Sequence, residues 1–185
     1  MMDNYITNLR AKFGHPNPKK HQHSPHRHTP IIYRAKVQYA TENPSRPPLD
    51  SALKLRIQQL IGAIRYYARS VDNKLLVTLS EFTQQHSSPT NDTNGDLILL
   101  LDYLVTYPDD GITYRASDMI LSGHSDTDYL NVSQARSRIV SHIVLSEDVP
   151  VPLHKGPVLT IAQIIKNVMS ISSEAELEGL FTIAK

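Results

Sequence analysis

The sequence predicts an α+β protein in which a helical segment is followed by a group of strands and a final helix. Apolar residues recur at spacings of three and four between residues 50 and 107, which is the pattern of amphipathic helices. After residue 112, several short segments are rich in β-branched residues and bounded by turn residues. We therefore divide the chain into an N-terminal arm (1–49), a helical segment (50–107) and a strand-containing domain (112–185).

The N-terminal arm is basic and rich in proline and histidine. Residues 1–50 contain eight Lys and Arg against three Asp and Glu, whereas the other residues contain eleven against fifteen. Apolar periodicity is missing between Gly14 and Asp50. A segment of this composition cannot bury enough apolar surface to fold alone, so we predict an extended, largely disordered arm.

The first helix of the helical segment is predicted to begin at Asp50 or Ser51, either of which can cap free backbone amides. Tyr67 lies close to the apolar stripe and is expected to be core rather than a base-stacking residue. The stripe consists of Leu53, Ile57, Leu60, Ile61, Ile64 and Ala68.

Two more helices and a turn complete this segment. A helix is predicted around Leu75 to Phe82, ending before Ser87, and another over about Asp96–Thr106. Pro, Asp and Gly residues at 108–111 then predict a turn.

Strands and a last helix are predicted in the C-terminal domain. Ser172 or Ser173 can cap this helix, and its expected apolar face contains Leu177, Leu180, Phe181 and Ala184. The strand candidates are Ile112–Tyr114, Met119–Ser125, Arg138–Leu145 and Val158–Val168.

The composition excludes several classes of function. The sequence has no Cys, which excludes disulfides and thiolate metal sites. Its N-terminus has no apolar signal region, and the apolar run at 97–101 is too short to cross a bilayer. We therefore expect an intracellular protein, cytoplasmic or nuclear, that is not secreted and has no membrane partner.

Five short sequence segments, taken in chain order, resemble the C-terminal part of copia-like LTR retrotransposon Pol polyproteins. In that family, the region joins the end of the reverse transcriptase, through a helical connection, to a ribonuclease H domain. The resemblance extends from about Gly14 to Lys185. The segments are residues 56–69 (RIQQLIGAIRYYAR), 117–121 (SDMIL), 124–126 (HSD), 135–138 (ARSR) and 172–177 (SSEAEL).

The resemblance implies a metal-dependent nuclease site. Asp126, at the end of the first strand of the ribonuclease H fold, and Glu176, on its first helix, match two of the family's four metal-binding carboxylates. Both would be catalytic and metal-binding residues. The implied cofactor is Mg²⁺, because two such ions about 4 Å apart can activate a water and stabilise the leaving oxygen in phosphodiester hydrolysis. The implied substrate is the RNA strand of an RNA–DNA hybrid.

The later Asp ligands, strands and helices of the family have no counterpart in this sequence. We therefore expect a truncated ribonuclease H-like domain that is catalytically incomplete alone. Its first strand, which is central in the family, would keep an unpaired edge open to self-association. A less favoured alternative is an active nuclease that completes its site from a second chain, or from Asp128 or Glu174.

Each of the two carboxylates also has a structural interpretation. Glu176 follows Ser173 by three residues, which is the spacing of a capping box at a helix start. Asp126 is surrounded by small polar residues typical of a turn or a strand end.

An alternative function is a non-catalytic nucleic-acid-binding module that uses the basic arm. Its contacts with phosphates would weaken steeply with salt, so salt-dependent retention on a nucleic-acid column would favour it. The opposing interpretation is a charged tail that only keeps the chain soluble. The candidate residues are Lys19, Lys20, Arg27, Arg34 and Lys36.

Two further motifs have both a functional and a structural interpretation. The arm's His15, His21, His23, His26 and His28 can bind Zn²⁺ or Ni²⁺, although a solvated arm is the expected state without a fixed scaffold. Residues 107–110 (YPDD) imitate the reverse transcriptase signature Tyr-x-Asp-Asp. That signature belongs on a β-hairpin, and a helix followed by a turn is predicted here instead.

Overall fold

The computed structural model describes residues 2, 4–27, 49–150 and 155–185. These residues form two compact units, one ending at Gly111 and the other beginning at Ile112. The first is helical, and the second combines a three-stranded antiparallel sheet with one helix, which confirms the α+β class. The described helices include none that is long and apolar enough to span a membrane.

The first unit contains a helix that the sequence analysis did not predict. Helix α1 is only nine residues long, and its buried residues are Ile6, Leu9 and Phe13. These three apolar positions are too few to give a clear periodic signal. The helices of this unit are α1 (Tyr5–Phe13), α2 (Ser51–Ser70), α3 (Leu76–Gln85) and α4 (Asn91–Thr106), with a 3-10 turn at Asn73–Leu75 before α3.

Helix α2 has the predicted start and the predicted apolar stripe. The Asp50 carboxylate accepts a hydrogen bond of 2.7 Å from the backbone N–H of Leu53. Tyr67 is buried, as expected, and its hydroxyl donates to the carbonyl of Asp110. The buried residues of the helix are Ile57, Leu60, Ile61, Ile64, Tyr67 and Ala68.

Helix α4 begins five residues earlier than predicted. The Thr90 side chain accepts from the backbone N–H of Thr93, while the Thr93 side chain accepts from that of Thr90. This reciprocal capping starts the helix in a polar stretch without apolar periodicity. The sequence pattern therefore showed only the apolar C-terminal part of α4.

In the second unit the sheet has the order β1-β2-β3, and all pairs are antiparallel. Ile112–Tyr114 was predicted to be a strand, and this prediction is wrong, because these residues form no strand. The elements are β1 (Ile120–Val132), β2 (Arg136–Ser146), β3 (Pro157–Ile164) and α5 (Ser172–Ile183).

Helix α5 packs with the opposite face from the one predicted. Ala175 and Gly179 are buried, whereas Leu177, Leu180 and Phe181 are all more than half exposed. The helix lies so close to β1 that only small residues fit between them. A small core of Ile139, Ile165, Met169 and Ala175, with Tyr129 against it, joins the helix to the sheet.

Asp72 is a buried carboxylate in the first unit, at 2% exposure. It accepts a hydrogen bond of 3.3 Å from the backbone N–H of Lys74 and caps the 3-10 turn. Burial raises the pKa of Asp72 above its ordinary value of 3.8, against the opposing effect of Lys74. Lys74 is held mainly by Asp110, whose carboxylate lies 2.5 Å from Nζ.

Asp72→Asn is expected to change how the stability of the first unit depends on pH. A carboxyl with a raised folded pKa favours folding fully below its ordinary pKa, and that contribution is lost as pH rises through the raised value. The stability of Asp72→Asn relative to the original chain should therefore increase from acidic pH toward neutrality. Urea unfolding across this range measures it, and a stability difference between the two proteins that stays constant with pH would contradict the prediction.

Candidate functional site

The central contact of the candidate site lies where α5 crosses β1. The hydroxyl of Thr127 donates a buried hydrogen bond of 3.2 Å to the carbonyl of Ala175. Asp126 and Glu176 are the chain neighbours of these two residues. The two carboxylates predicted from the sequence therefore each lie one residue away from a direct contact between β1 and α5.

Gly179 allows this close approach. A Cβ at that position would lie 2.9 Å from the Thr127 hydroxyl oxygen and 3.6 Å from the Ser125 hydroxyl oxygen. One turn further along, Gly123 of β1 faces the side chain of Ile183 in the same way. Small residues on the strand and the helix therefore set the distance between the two elements.

The hydroxyl of Tyr129 fixes the start of α5. It donates a hydrogen bond of 2.7 Å to the carbonyl of Ser170. Tyr129 lies on β1, three residues after Asp126. The strand that carries one candidate carboxylate therefore also positions the helix that carries the other.

Asp126 is exposed, and one of its carboxylate oxygens accepts from the backbone N–H of Thr127 at 2.9 Å. Ser125 and Thr127 face α5, and side chains alternate along a strand. Asp126 lies in the middle of β1 and not at a strand end, and it therefore projects from the face of β1 away from α5. The structure does not bring its carboxylate together with that of Glu176. In the described sheet β1 pairs only with β2, so its second edge is open beside this carboxylate.

The capping-box interpretation of Glu176 is wrong. The residue at the helix cap is Ile171, which makes no side-chain capping bond, so neither Ser172 nor Ser173 has that role. Glu174 binds the backbone just before the cap instead, since its carboxylate accepts from the backbone N–H of Ser170 at 2.7 Å. Glu176 is exposed on the next turn.

Within the described ranges, no three His, Asp or Glu side chains form a group placed to hold a metal ion. Asp126 and Glu176 therefore supply two oxygen-donor side chains and not a complete ligand set. The Tyr-x-Asp-Asp imitation lies in a turn, as predicted, since Tyr107 is the C-terminal cap of α4. Its Asp110 is paired with Lys74.

The basic residues of the arm differ in what they contact. Lys19 and Lys20 are exposed side by side, whereas a guanidinium nitrogen of Arg27 lies 2.8 Å from a carboxylate oxygen of Asp96. Arg34 and Lys36 lie outside the described residues. Lys19 and Lys20 are therefore the described candidates of this set that are most accessible to a phosphate.

Residues 15–27 form neither helix nor strand, as predicted, but they contact α4 repeatedly. His15 Nε2 lies 2.8 Å from an Asp102 carboxylate oxygen, and the His15 side chain is only 6% exposed. The backbone N–H of Gln22 donates to the Thr106 hydroxyl at 3.1 Å. This part of the arm therefore has a fixed scaffold, which the sequence analysis did not predict.

The sequence pattern did not indicate that Thr127, Tyr129 and Gly179 hold α5 against β1. One feature of the sequence could have indicated this contact. Ala175 and Gly179 are small residues four apart on α5, and such residues let a helix approach its neighbour closely. Comparisons with protein-family models, with curated proteins and with solved structures found no match to this chain.

Proposed function

We propose that the chain is a retrotransposon-derived fragment of a reverse transcriptase and ribonuclease H polyprotein, with Asp126 and Glu176 as half of a nuclease site. The ancestral activity is Mg²⁺-dependent cleavage of RNA in RNA–DNA hybrids. The observation that carries the proposal is the hydrogen bond between Thr127 and Ala175. Asp126 and Glu176 are the chain neighbours of these two residues, although Asp126 projects from the face of β1 away from α5.

The order of elements supports the same proposal. Three antiparallel strands are followed by a helix that crosses the first strand, and the two carboxylates lie on that strand and that helix. The segment 172–177 also has Glu176 on an exposed helical turn, while Glu174 accepts from the backbone N–H of Ser170 before the helix. Glu176 is therefore not needed to start the helix.

The two residues have the donor type that a hard cation takes, but in this structure Asp126 and the helix that carries Glu176 lie on different sides of β1, so both could bind one ion only after a rearrangement. Carboxylate oxygens are the ligands that Mg²⁺ prefers, and one or two carboxylates hold it with the help of waters and substrate phosphates. Asp126 and Glu176 would be the protein ligands from this chain. Bound Mg²⁺ would stabilise the charge that develops on the phosphate oxygens during hydrolysis.

In the part of the chain that the structure describes, β1 has one unpaired edge, which indicates how the site would be completed. A second polypeptide that carries the later strands and Asp ligands of the family could pair with this edge beside Asp126. Backbone N–H and C=O groups at a sheet edge are a template for such pairing. The alternative, a nucleic-acid-binding module, is favoured only by the exposure of Lys19 and Lys20.

The test is cleavage of a labelled RNA–DNA hybrid with Mg²⁺ or Mn²⁺, by the chain alone and mixed with such a second polypeptide. We expect no cleavage by the chain alone and cleavage by the mixture. Asp126→Asn and Glu176→Gln should each reduce the rate of the mixture by at least about a hundredfold, because each removes a charged ligand that acts on the reacting phosphate. Glu178→Gln, two residues further along α5, is the matched control and should keep the rate.

Three results would contradict parts of this proposal. Cleavage by the chain alone that both substitutions abolish would show that the site is complete in this chain. Cleavage that neither substitution changes would exclude Asp126 and Glu176 as ligands. A mixture that pairs but never cleaves would contradict the nuclease assignment and leave the binding function of the arm as the better explanation.

A further inference from the structure

The imidazole rings of His21 and His23 are paired on the surface of the first unit. Their centroids are 6.2 Å apart, and their planes lie within 15° of parallel. Both residues are exposed. Gln22, between them, is attached to α4 through its hydrogen bond with Thr106, so the backbone that carries the pair is fixed.

A third donor lies beside this pair. The hydroxyl oxygen of Tyr107 is 2.5 Å from His23 Nδ1. We propose that His21, His23 and Tyr107 form a binding site for one divalent transition-metal ion. The site lies in the first unit, so it is independent of Asp126 and Glu176.

The distances are compatible with a shared ion. Imidazole nitrogens lie about 2.0–2.1 Å from a bound Zn²⁺, which places two ligand rings on one ion with centroids about 5–6 Å apart. The observed separation of 6.2 Å is close to this range. Both side chains are exposed, so their rings are free to turn toward a shared ion.

Metal binding would replace the hydrogen bond between His23 and Tyr107. Two ligand atoms on one ion are about 3 Å apart, so the 2.5 Å between Nδ1 and the hydroxyl oxygen needs to increase only slightly. The O–H bond of Tyr107 breaks, its proton passes to solvent, and the phenolate oxygen binds the ion. No electron is transferred in this step.

The donor set selects the class of metal. Two imidazoles and a phenolate suit Zn²⁺, Ni²⁺ and Cu²⁺, and hard ions such as Mg²⁺ prefer oxygen ligands alone. Affinity of nitrogen and oxygen sites is greatest for Cu²⁺ in the divalent series. We therefore expect Cu²⁺ to bind more tightly than Zn²⁺ and Mg²⁺ not to compete.

The experiment is calorimetric titration of the full chain with Cu²⁺ and, separately, with Zn²⁺. One ion should bind per chain at the high-affinity site. His21→Ala and His23→Ala should each weaken binding by at least about tenfold, since even loss of outer-shell partners of a metal site has effects of that size. His26→Ala, on the same arm, and His86→Ala, on another exposed surface, are the controls that should leave affinity unchanged.

The role of Tyr107 has its own spectroscopic test. The Cu²⁺ form should show a visible phenolate-to-metal charge-transfer band that Tyr107→Phe removes, while nitrogen coupling in the electron paramagnetic resonance spectrum persists. Equal losses in all four His→Ala variants would overturn the proposal, because they would indicate diffuse binding by a His-rich segment. Absence of saturable binding would overturn it as well, and circular dichroism of each variant checks that the fold is intact.

Discussion

Replacing Ile64 with alanine is expected to lower the free energy of unfolding of the first unit by about 2–5 kcal/mol, the usual range for truncating a buried aliphatic side chain. Ile64 lies in the middle of α2 and is fully buried, at 0% exposure. Truncation removes three buried carbon atoms and leaves a cavity that the surrounding helices fill only in part. Urea unfolding followed by far-ultraviolet circular dichroism measures the loss.

Leu55→Ala is the matched control on the same helix. Leu55 is 55% exposed, and substitutions at such surface positions usually change stability by less than about 0.5 kcal/mol. Hydrogen exchange should show the Ile64→Ala effect in residues 51–106 and leave the protection of β1 and β2 unchanged, because those strands belong to the other of the two compact units. An equal loss of protection in β1 and β2 would contradict independent units.

Gly179→Val is expected to destabilise the second unit by about 1–3 kcal/mol, the usual cost of adding atoms to a packed interface. The new Cβ would lie 2.9 Å from the Thr127 hydroxyl oxygen, so α5 must move away from β1. The movement would break the hydrogen bond between Thr127 and Ala175. Reduced hydrogen-exchange protection in residues 172–183 measures the release of the helix.

Gly62→Val is the control for this substitution, because Gly62 is also in a helix and no atom lies within 4 Å of an added Cβ. The helix propensities of Gly and Val differ by only about a few tenths of a kcal/mol, so Gly62→Val should be close to neutral. In the nuclease that we propose, Gly179→Val should also reduce cleavage, since it separates the elements that carry Asp126 and Glu176. Unchanged stability and unchanged exchange in α5 would show that the contact at Gly179 is not close.

The parts of the fold that could be predicted are those specified by residues close together in the sequence. The stripe on α2 and the Asp50 cap are both determined by spacing and side-chain chemistry within one helix. Most of the strands were also predictable, because β-branched residues and flanking turn residues are local features. Ile112–Tyr114 shows the limit of that signal: it has β-branched residues but gains no strand partner in the described sheet, and composition alone does not specify pairing.

The two residues of the candidate site could be named from the sequence, but their positions relative to each other could not. Asp126 and Glu176 came from the resemblance, whereas their relation depends on Thr127, Tyr129 and Gly179, which contact partners about 40 to 50 residues away. Helix periodicity predicted that Leu177, Leu180 and Phe181 would be buried. It is the small residues Ala175 and Gly179 that face the sheet.

The sequence by itself determined the α+β class, the stripe and cap of α2, and the two carboxylates, since these depend on residue type and short-range spacing. Only the tertiary structure decided which face of α5 meets β1, that Glu174 rather than Glu176 binds the backbone before α5, and that His21 and His23 are held beside Tyr107. Long-range contacts select one arrangement among several that local propensity permits, because the closest packing and the most complete hydrogen bonding have the lowest free energy.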